Sequence, residues 1–282
     1  MAVFWGGAFV AGRSVAQVMG PFSAAFLRFL ISSIVLGGVV AFNRSKNDLK
    51  LDMRRIIGLM LLGLTGIAIY NALFFSGLQT VHAGRASAII ATNPIAVLLL
   101  SIIFYREKMD PYKLSGIILS VCGACIVIFR GQVHLLLHGA VGRGELYILG
   151  CVISWAVYSI LGKRLLKNVS PLHAVFLATV FGMLFLLVPA LREGMLQDLA
   201  DIQPGTALRL LYLALFATVL GFVWFYDGVR EIGPTKASQF INFVPVSAVI
   251  LSFMFQHEPL SLSLVSGTFL VVLGVFATQY SK

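Results

Sequence analysis

Long apolar blocks restrict most strongly how this chain can fold. Blocks of about 20 residues recur along it, each long enough to cross a hydrocarbon layer of about 30 Å as a helix. The composition agrees, since 59% of the residues are hydrophobic, 11% are charged and the mean hydropathy is +0.95. The sequence therefore predicts an all-α polytopic membrane protein. Its ten predicted transmembrane spans are approximately residues 1–18, 21–42, 55–78, 84–105, 112–130, 144–166, 171–190, 206–230, 234–256 and 261–280.

The positive charge of the chain predicts its orientation. The formal net charge is +10, and the basic residues lie in short loops between apolar blocks, which argues for a lipid bilayer and against nucleic acid as a partner. With a cytoplasmic N-terminus, the outer side holds only Arg13, Arg85, Arg130, Arg143, Arg192 and Arg209. Of the 21 Lys and Arg residues, 14 then lie inside and Arg28 lies within the second span. Because cytoplasmic loops are enriched in Lys and Arg, we expect a multi-pass protein of the cell inner (cytoplasmic) membrane with both termini cytoplasmic.

One stretch of the sequence occurs twice. Residues 70–107 and 221–258 align at an offset of 151, which pairs Pro94 with Pro245. Earlier matches at an offset of 150 pair Trp5 with Trp155, Gly12 with Gly162 and Pro21 with Pro171. The chain therefore contains two copies of one helical unit.

The repeat predicts the domain organisation. A first five-helix repeat spans residues 1–130, a linker loop spans 131–143, and a second five-helix repeat spans 144–282. Because five is odd, the second repeat must enter the membrane from the opposite side. Inverted repeats around a central cavity are typical of secondary transporters, whose substrate site lies near the midplane between the repeats.

The repeated residues also carry a family resemblance. The pattern is Trp5-Gly6-Gly7, Pro21 through Arg28-Phe29, Tyr70-Asn71-Ala72-Leu73-Phe74 running to Gly77-Leu78, and Pro94 followed by Glu107. The second half echoes it with Trp155, Pro171, Gly228, Pro245 and Glu258. The chain thereby resembles the EamA branch of the drug/metabolite transporter superfamily over essentially its whole length. The resemblance implies ten helices in two inverted halves, a central cavity and transport of small metabolites, often export of amino acids.

Candidate substrate-binding residues cluster around two mid-helix prolines. Pro94 and Pro245 each remove a backbone donor and crowd the carbonyl four residues earlier, which predicts kinked helices beside the cavity or kinks needed only for packing. Polar and aromatic side chains in the spans supply the remaining candidates for the cavity wall, although the polar groups could equally bond helix to helix. These candidates are Trp5, Tyr70, Asn71, Phe74, Asn93, Trp155, Tyr158, Ser159, Trp224, Gln239 and Asn242.

Two charged residues lie inside predicted spans. The repeat counterpart of Arg28 is Ala178, so the repeat does not demand a charge there. Arg28 could meet a carboxylate substrate or snorkel outward, and the structural role is favoured. Asp227 is the best candidate for proton coupling, although a pair with Arg230 on the same helix face is favoured. Glu258 is expected at an outer helix end, where solvent or a lipid headgroup holds its charge.

Three function classes compete at this point. A secondary transporter that exports small metabolites such as amino acids is favoured over a passive facilitator or channel. An intramembrane enzyme is disfavoured, because His257-Glu258 does not continue as HExxH and no nucleophile elbow occurs. We therefore expect no catalytic residue, no metal, no cofactor and no enzyme activity. The expected partners are a small-molecule substrate and lipid, and the oligomeric state is left open.

Overall fold

The computed structural model describes residues 1–42, 52–106, 109–132, 141–165, 171–225 and 240–279. The apolar helices in these ranges are Ala2–Ala16 (α1), Pro21–Phe42 (α2), Met53–Leu78 (α3), Ala83–Tyr105 (α4), Pro111–Ile128 (α5), Arg143–Leu165 (α6), Pro171–Glu193 (α7), Pro204–Phe225 (α8), Phe240–Gln256 (α9) and Leu262–Gln279 (α10). A short helix that the sequence did not predict, Met195–Ala200, follows α7. Among the described residues, the seven helices α2 to α8 are long and apolar enough to cross a membrane, whereas α1, α9 and α10 are shorter. The all-α prediction is confirmed for the described ranges, and the helices fit a polytopic membrane protein.

Aspartate and proline residues determine where some of these helices begin. Asp52 precedes α3 and Asp110 precedes α5, and each carboxylate accepts a hydrogen bond of 2.9 Å from the backbone N–H three residues later. This N-cap satisfies one of the backbone donors that a helix start leaves free. Pro111 then occupies the first position of α5, where its missing N–H costs nothing.

Helical geometry changes in the middle of several helices. Within α3 and α8, the segments Gly63–Ile69 and Leu213–Leu220 are π-helical, and they occupy corresponding places in the sequence repeat. The helix α4 is interrupted at residues 91–92, just before Pro94, and α9 begins with a 3-10 turn at Phe240–Asn242. Short π-helical segments frequently mark functional sites.

Glycines bring α5 and α10 into close contact. A Cβ atom at Gly123 would lie 2.6 Å from the carbonyl oxygen of Gly267, and one at Gly116 would lie 2.5 Å from that of Gly274. Because these neighbours are backbone atoms, no side-chain rotation could make room. Membrane helices use such small residues to approach closely. The two helices therefore pack backbone to backbone at two points along their length.

Candidate functional site

A cavity of about 360 Å³ lies among the helices. Its wall takes residues from α1 to α4, α6 and α8 to α10, and is mostly apolar. Small-molecule pockets typically enclose about 300–1,000 Å³ and combine apolar walls with a few polar groups. The cavity therefore has the size and lining of a site for a small molecule. Of the residues singled out from the sequence, its wall contains Trp5, Arg28, Tyr70, Asn71, Phe74, Asn93, Pro94, Trp155, Asn242 and Pro245.

Aromatic side chains form much of this wall. The ring of Tyr70 lies 6.2 Å from that of Phe74 and 5.7 Å from that of Trp155, measured between centroids. The indole N–H of Trp5 donates a hydrogen bond of 2.8 Å to the backbone carbonyl of Ala217, within the π-helical part of α8. Tryptophan usually finds such a partner when it is buried. These contacts hold the aromatic surface in a fixed shape.

Arg28 provides the only buried charge among the described residues of the cavity wall. Its side chain is 8% exposed, and no carboxylate within the described ranges lies at ion-pair distance from it. It donates hydrogen bonds from Nη1 to Asn71 Oδ1 at 3.1 Å and from Nε to Thr218 Oγ1 at 3.2 Å. The snorkelling favoured from the sequence is therefore wrong, because Arg28 points into the protein rather than toward a membrane surface.

Two amide side chains in the wall each have one atom without a hydrogen-bond partner among the described residues. Asn93 follows the interruption in α4, and Asn242 closes the 3-10 turn that begins α9. Neither Oδ1 of Asn93 nor Nδ2 of Asn242 has a partner among the described residues, although both atoms are buried. Buried polar groups in proteins are normally hydrogen-bonded. These groups are consequently available to a molecule that enters the cavity.

The remaining candidates lie elsewhere. The ring of Tyr158 packs on the Trp155 ring at 5.2 Å and against Gly66, while the hydroxyl of Ser159 donates to the Trp155 carbonyl, and neither side chain lines the cavity. Trp224 also lies outside the cavity wall, half-exposed, with its ring 5.1 Å from that of Phe4. Asp227 and Gln239 fall outside the described residues.

Three residues at the site were not predicted from the sequence, namely Thr218, Phe222 and Ile67. Phe222 and Ile67 line the cavity, and Thr218 holds Arg28 beside it. The hydroxyl of Thr218 in the middle of an apolar span could have indicated that this residue faces the protein interior, because polar groups at that depth turn away from lipid. No comparable signal distinguished Phe222 or Ile67 from other apolar residues.

One end of the helix assembly is closed by tightly packed side chains. On α1, α3 and α4, the residues of the cavity wall stop at Phe9, Phe74 and Ser87 respectively. The next turns toward this end carry fully buried residues such as Val15 and Leu78. The cavity is therefore separated from this end of the assembly by an apolar layer.

Polar contacts between the two halves of the sequence cover that layer. Glu258 is 5% exposed, and its Oε2 accepts a hydrogen bond of 2.9 Å from the backbone N–H of Gly84 at the start of α4. Gln256 donates to the carbonyl of Val10 at 2.9 Å and to the hydroxyl of Ser14 at 3.2 Å. The expectation that solvent or a headgroup holds Glu258 is wrong, because the carboxylate is buried against the N-terminus of α4, where the helix dipole favours a negative charge.

Basic residues surround this carboxylate. Arg13 donates to the carbonyls of Leu78 and Val81 at 2.9 and 2.6 Å, and its charge attracts that of Glu258. Arg85 forms an ion pair of 3.6 Å with Glu145. We call these residues the Glu258 network, which comprises Arg13, Gly84, Arg85, Glu145, Gln256 and Glu258. Partial burial, followed by the charge of Arg13, holds the pKa of the adjacent His82 below its usual value.

Comparison with known proteins agrees with this architecture. The sequence matches the EamA-like transporter family over residues 1–129 and 142–279. It is 30% identical to "Uncharacterized transporter YyaM" of Bacillus subtilis (strain 168), covering 99% of this chain and 90% of the relative. It is also 26% identical to the "WAT1-related protein At3g02690, chloroplastic" of Arabidopsis thaliana, covering 99% and 67%.

A solved crystal structure shows the same fold. It superposes with a TM-score of 0.65 at 18% sequence identity, covering 98% of this chain and 93% of that one. The family and the names of the relatives indicate a transporter rather than an enzyme. The chain therefore belongs to the EamA-like transporter family and is a multi-pass membrane transporter of small molecules.

Proposed function

We propose that this protein is a secondary transporter that exports small metabolites such as amino acids across the cell inner membrane, with both termini cytoplasmic. Transport occurs by alternating access between two inverted five-helix repeats, so ten helices cross the membrane. The observation that carries the proposal is a cavity with walls from both halves, separated from one end of the assembly by contacts that also join the halves. Alternating access requires such contacts to break and re-form.

The packing of α5 on α10 supports the inverted repeats. The sequence repeat makes Gly116 equivalent to Gly267 and Gly123 equivalent to Gly274. Gly116 packs on Gly274, and their respective equivalents, Gly267 and Gly123, pack on each other. Reciprocal contacts of this kind are what a two-fold axis between equivalent surfaces produces. An axis in the membrane plane would relate the two halves as inverted copies.

Local backbone features support the same symmetry. The helices α4 and α9 both end at residues in the left-handed region, Arg106 with φ 53° and His257 with φ 51°. These positions are 151 residues apart, as are Ala91 in the interruption of α4 and Asn242 in the 3-10 turn of α9. Non-glycine residues rarely adopt positive φ. Their recurrence at equivalent positions favours two copies of one structural unit.

The proposed orientation of the chain gives the closed end a direction. With cytoplasmic termini, the Glu258 network faces outward, and the described structure represents a state closed to the outside. The proposed cycle opens this end by separating Glu258 from Gly84 while the opposite end closes. A passive channel would need no such exchange, which makes a cross-link over the Glu258 network a discriminating experiment.

Two cysteines can lock the closed end. A Cβ atom at Gly84 would lie 3.0 Å from the hydroxyl oxygen of Ser252, a spacing that suits a disulfide between Gly84→Cys and Ser252→Cys. The pair would be made with the native cysteines, Cys122, Cys125 and Cys151, replaced by serine or alanine. We expect oxidation to stop efflux of preloaded radiolabelled amino acids from proteoliposomes and reduction to restore it.

Single-cysteine variants treated with the same oxidant serve as controls. Continued efflux through the cross-linked protein would contradict alternating access at this end. Export itself is tested by profiling metabolites in the medium of cells that overexpress the wild-type protein or the Asn242→Ala variant. If no compound differs between these media, the proposal that the protein exports small metabolites loses its support.

A further inference from the structure

The charge of Arg28 is not matched within the described protein. Its guanidinium has five N–H donors, and the neutral side chains of Asn71 and Thr218 receive hydrogen bonds from two of its nitrogens. Within the described ranges, no carboxylate forms an ion pair with it. A buried charge is costly unless an opposite charge and hydrogen bonds compensate it. Since Arg28 lines the cavity, a bound molecule can provide the missing negative charge.

The partners of Arg28 are themselves held in place. Asn71 donates from Nδ2 to the carbonyl of Ile67 at 2.9 Å, which turns its Oδ1 toward Arg28. Thr218 donates to the carbonyl of Leu213 at 3.0 Å and is left to accept from Arg28. Both carbonyls belong to the π-helical segments of α3 and α8. The cation is thus oriented before any ligand arrives, which lowers the entropic cost of binding.

The fold does not require a charge at this place. By the sequence repeat, the equivalent of Arg28 is Ala178, at an offset of 150. At an offset of 151, the equivalent of Asn71 is Phe222, and that of Thr218 is Ile67. The second copy of this site is therefore entirely apolar although the backbone elements correspond. A group of three polar residues that one copy lacks is explained better by a ligand than by the scaffold.

The remainder of the cavity restricts the chemistry of that ligand. Phe222 and Ile67 belong to its wall, as do the aromatic residues Trp5, Tyr70 and Trp155. A doubly charged or wholly polar molecule would leave much of this surface without suitable contacts. A molecule with one negative group and an apolar body would match both the cation and the wall. Asn93 Oδ1 and Asn242 Nδ2, which have no partner among the described residues, can bind an additional polar group.

We propose that Arg28 is the carboxylate-binding residue of the cavity and that the transported molecules are small monocarboxylates with an apolar body, apolar amino acids among them. This inference rests on the proposed function, because it names the substrate class of the same cavity. Arginine suits the role because its planar fork can donate two parallel hydrogen bonds to a carboxylate. Asn71 and Thr218 are positioning residues that orient the guanidinium.

A matched pair of probes tests the inference. The purified protein in lipid nanodiscs would be titrated with 4-methylpentanoate, with its neutral amide 4-methylpentanamide, and with L-leucine and L-phenylalanine. Tryptophan fluorescence reports binding, because two of the three tryptophans, Trp5 and Trp155, line the cavity. We expect the carboxylate to bind at least about tenfold more tightly than the amide, as charge-assisted hydrogen bonds do.

Variants then locate the preference. In Arg28→Met the acid and the amide should bind equally, and Arg28→Lys should keep part of the preference. Arg192→Met is the matched control, because it removes an exposed arginine at the end of α7 and should leave the preference unchanged. A merely structural Arg28 would instead lower thermal stability in Arg28→Met without changing the ratio between acid and amide.

Several results would overturn the inference. These are equal binding of acid and amide by the wild-type protein, an unchanged preference in Arg28→Met, or no binding of any carboxylate probe. The comparison of acid and amide binding by the wild-type protein tests the inference even where Arg28→Met fails to fold. Transport in proteoliposomes separates the two proposals. Transport without a carboxylate preference overturns the role of Arg28 alone, whereas an Arg28-dependent preference without transport supports that role and overturns the proposed function.

Discussion

Replacing Gly123 by alanine should loosen the contact between α5 and α10. The new Cβ atom would lie 2.6 Å from the carbonyl oxygen of Gly267 and 2.7 Å from the backbone nitrogen of Val271. Ordinary van der Waals contact of a Cβ atom begins near 3.4 Å. The helices must therefore separate locally by roughly 0.8 Å, because neither backbone atom can rotate away.

The size of the effect follows from this separation. A gap of about 0.5–1 Å removes a quarter to a half of the attraction between the atoms that face each other across it. Overpacking of this kind costs about 1–3 kcal/mol, while alanine regains up to about 1 kcal/mol over glycine in helix propensity. We expect Gly123→Ala to lower the free energy of unfolding by about 1–2 kcal/mol in total. Gly38 provides the control, since a Cβ atom there would meet nothing within 4 Å.

The assay is reversible unfolding in mixed lipid–detergent micelles, followed by circular dichroism. Gly123→Ala and its repeat equivalent Gly274→Ala should each lower the free energy of unfolding, whereas Gly38→Ala should leave it unchanged or raise it. The double variant Gly123→Ala/Gly267→Ala should lose less free energy of unfolding than the two single variants lose together, because both substitutions act at one contact. Equal stability of Gly123→Ala and Gly38→Ala would refute the reasoning.

Three further perturbations test the site and the closed end. Trp5→Phe removes the donor to the Ala217 carbonyl and should lower the free energy of unfolding by about 1–2 kcal/mol in the same unfolding assay. Trp224→Phe, at a half-exposed position, is the control and should change that free energy by less than about 0.5 kcal/mol. Glu258→Gln keeps an acceptor for the Gly84 N–H but loses the charge that attracts Arg13. Hydrogen exchange of the backbone amides between α3 and α4 should therefore become faster. An unchanged exchange rate would contradict the role assigned to the Glu258 charge. The pKa of His82 is lower in the folded protein than the usual value of 6.5. Just below about pH 6.5 the unfolded chain therefore binds more protons than the folded protein does, so the free energy of unfolding should fall as the pH is lowered toward the folded pKa. The melting temperature of His82→Gln should therefore fall less than that of the wild-type protein between about pH 7.5 and pH 5.

Much of the fold could be predicted because its determinants are periodic and local. Apolar blocks predicted the helices, and Asp110-Pro111 lies at a helix start as capping chemistry requires. The interruption of α4 lies directly before Pro94, where the missing N–H breaks the hydrogen-bond ladder. The π-helical segments were not predicted, since no residue type in Gly63–Ile69 or Leu213–Leu220 demands hydrogen bonds between residues five apart.

The candidate site could be predicted only where the repeat or a polar side chain marked it. Tyr70, Asn71 and Trp155 lie in the cavity wall, and their binding of substrate stays a prediction. Trp224 lies outside the wall, and its ring packs against that of Phe4, a contact between distant parts of the chain. Glu258 was misjudged for the same reason, since its partner Gly84 lies 174 residues away. Local patterns cannot reveal which distant elements meet.

The asymmetry around Arg28 has a steric basis in the packing of the second copy. At the equivalent position, Ala178 lies in α7, and its carbonyl oxygen lies 2.6 Å from where Gly63 would carry a Cβ atom. This approach fills the space beside Ala178, which is 2% exposed and packs with Leu59 and Leu62. In the first copy, the repeat places Ala214, which carries a methyl group, where the second has Gly63. An arginine therefore fits at position 28, where it contacts both α3 and α8, and not at position 178, so a chain with a repeated sequence can present one cation to one end of a substrate.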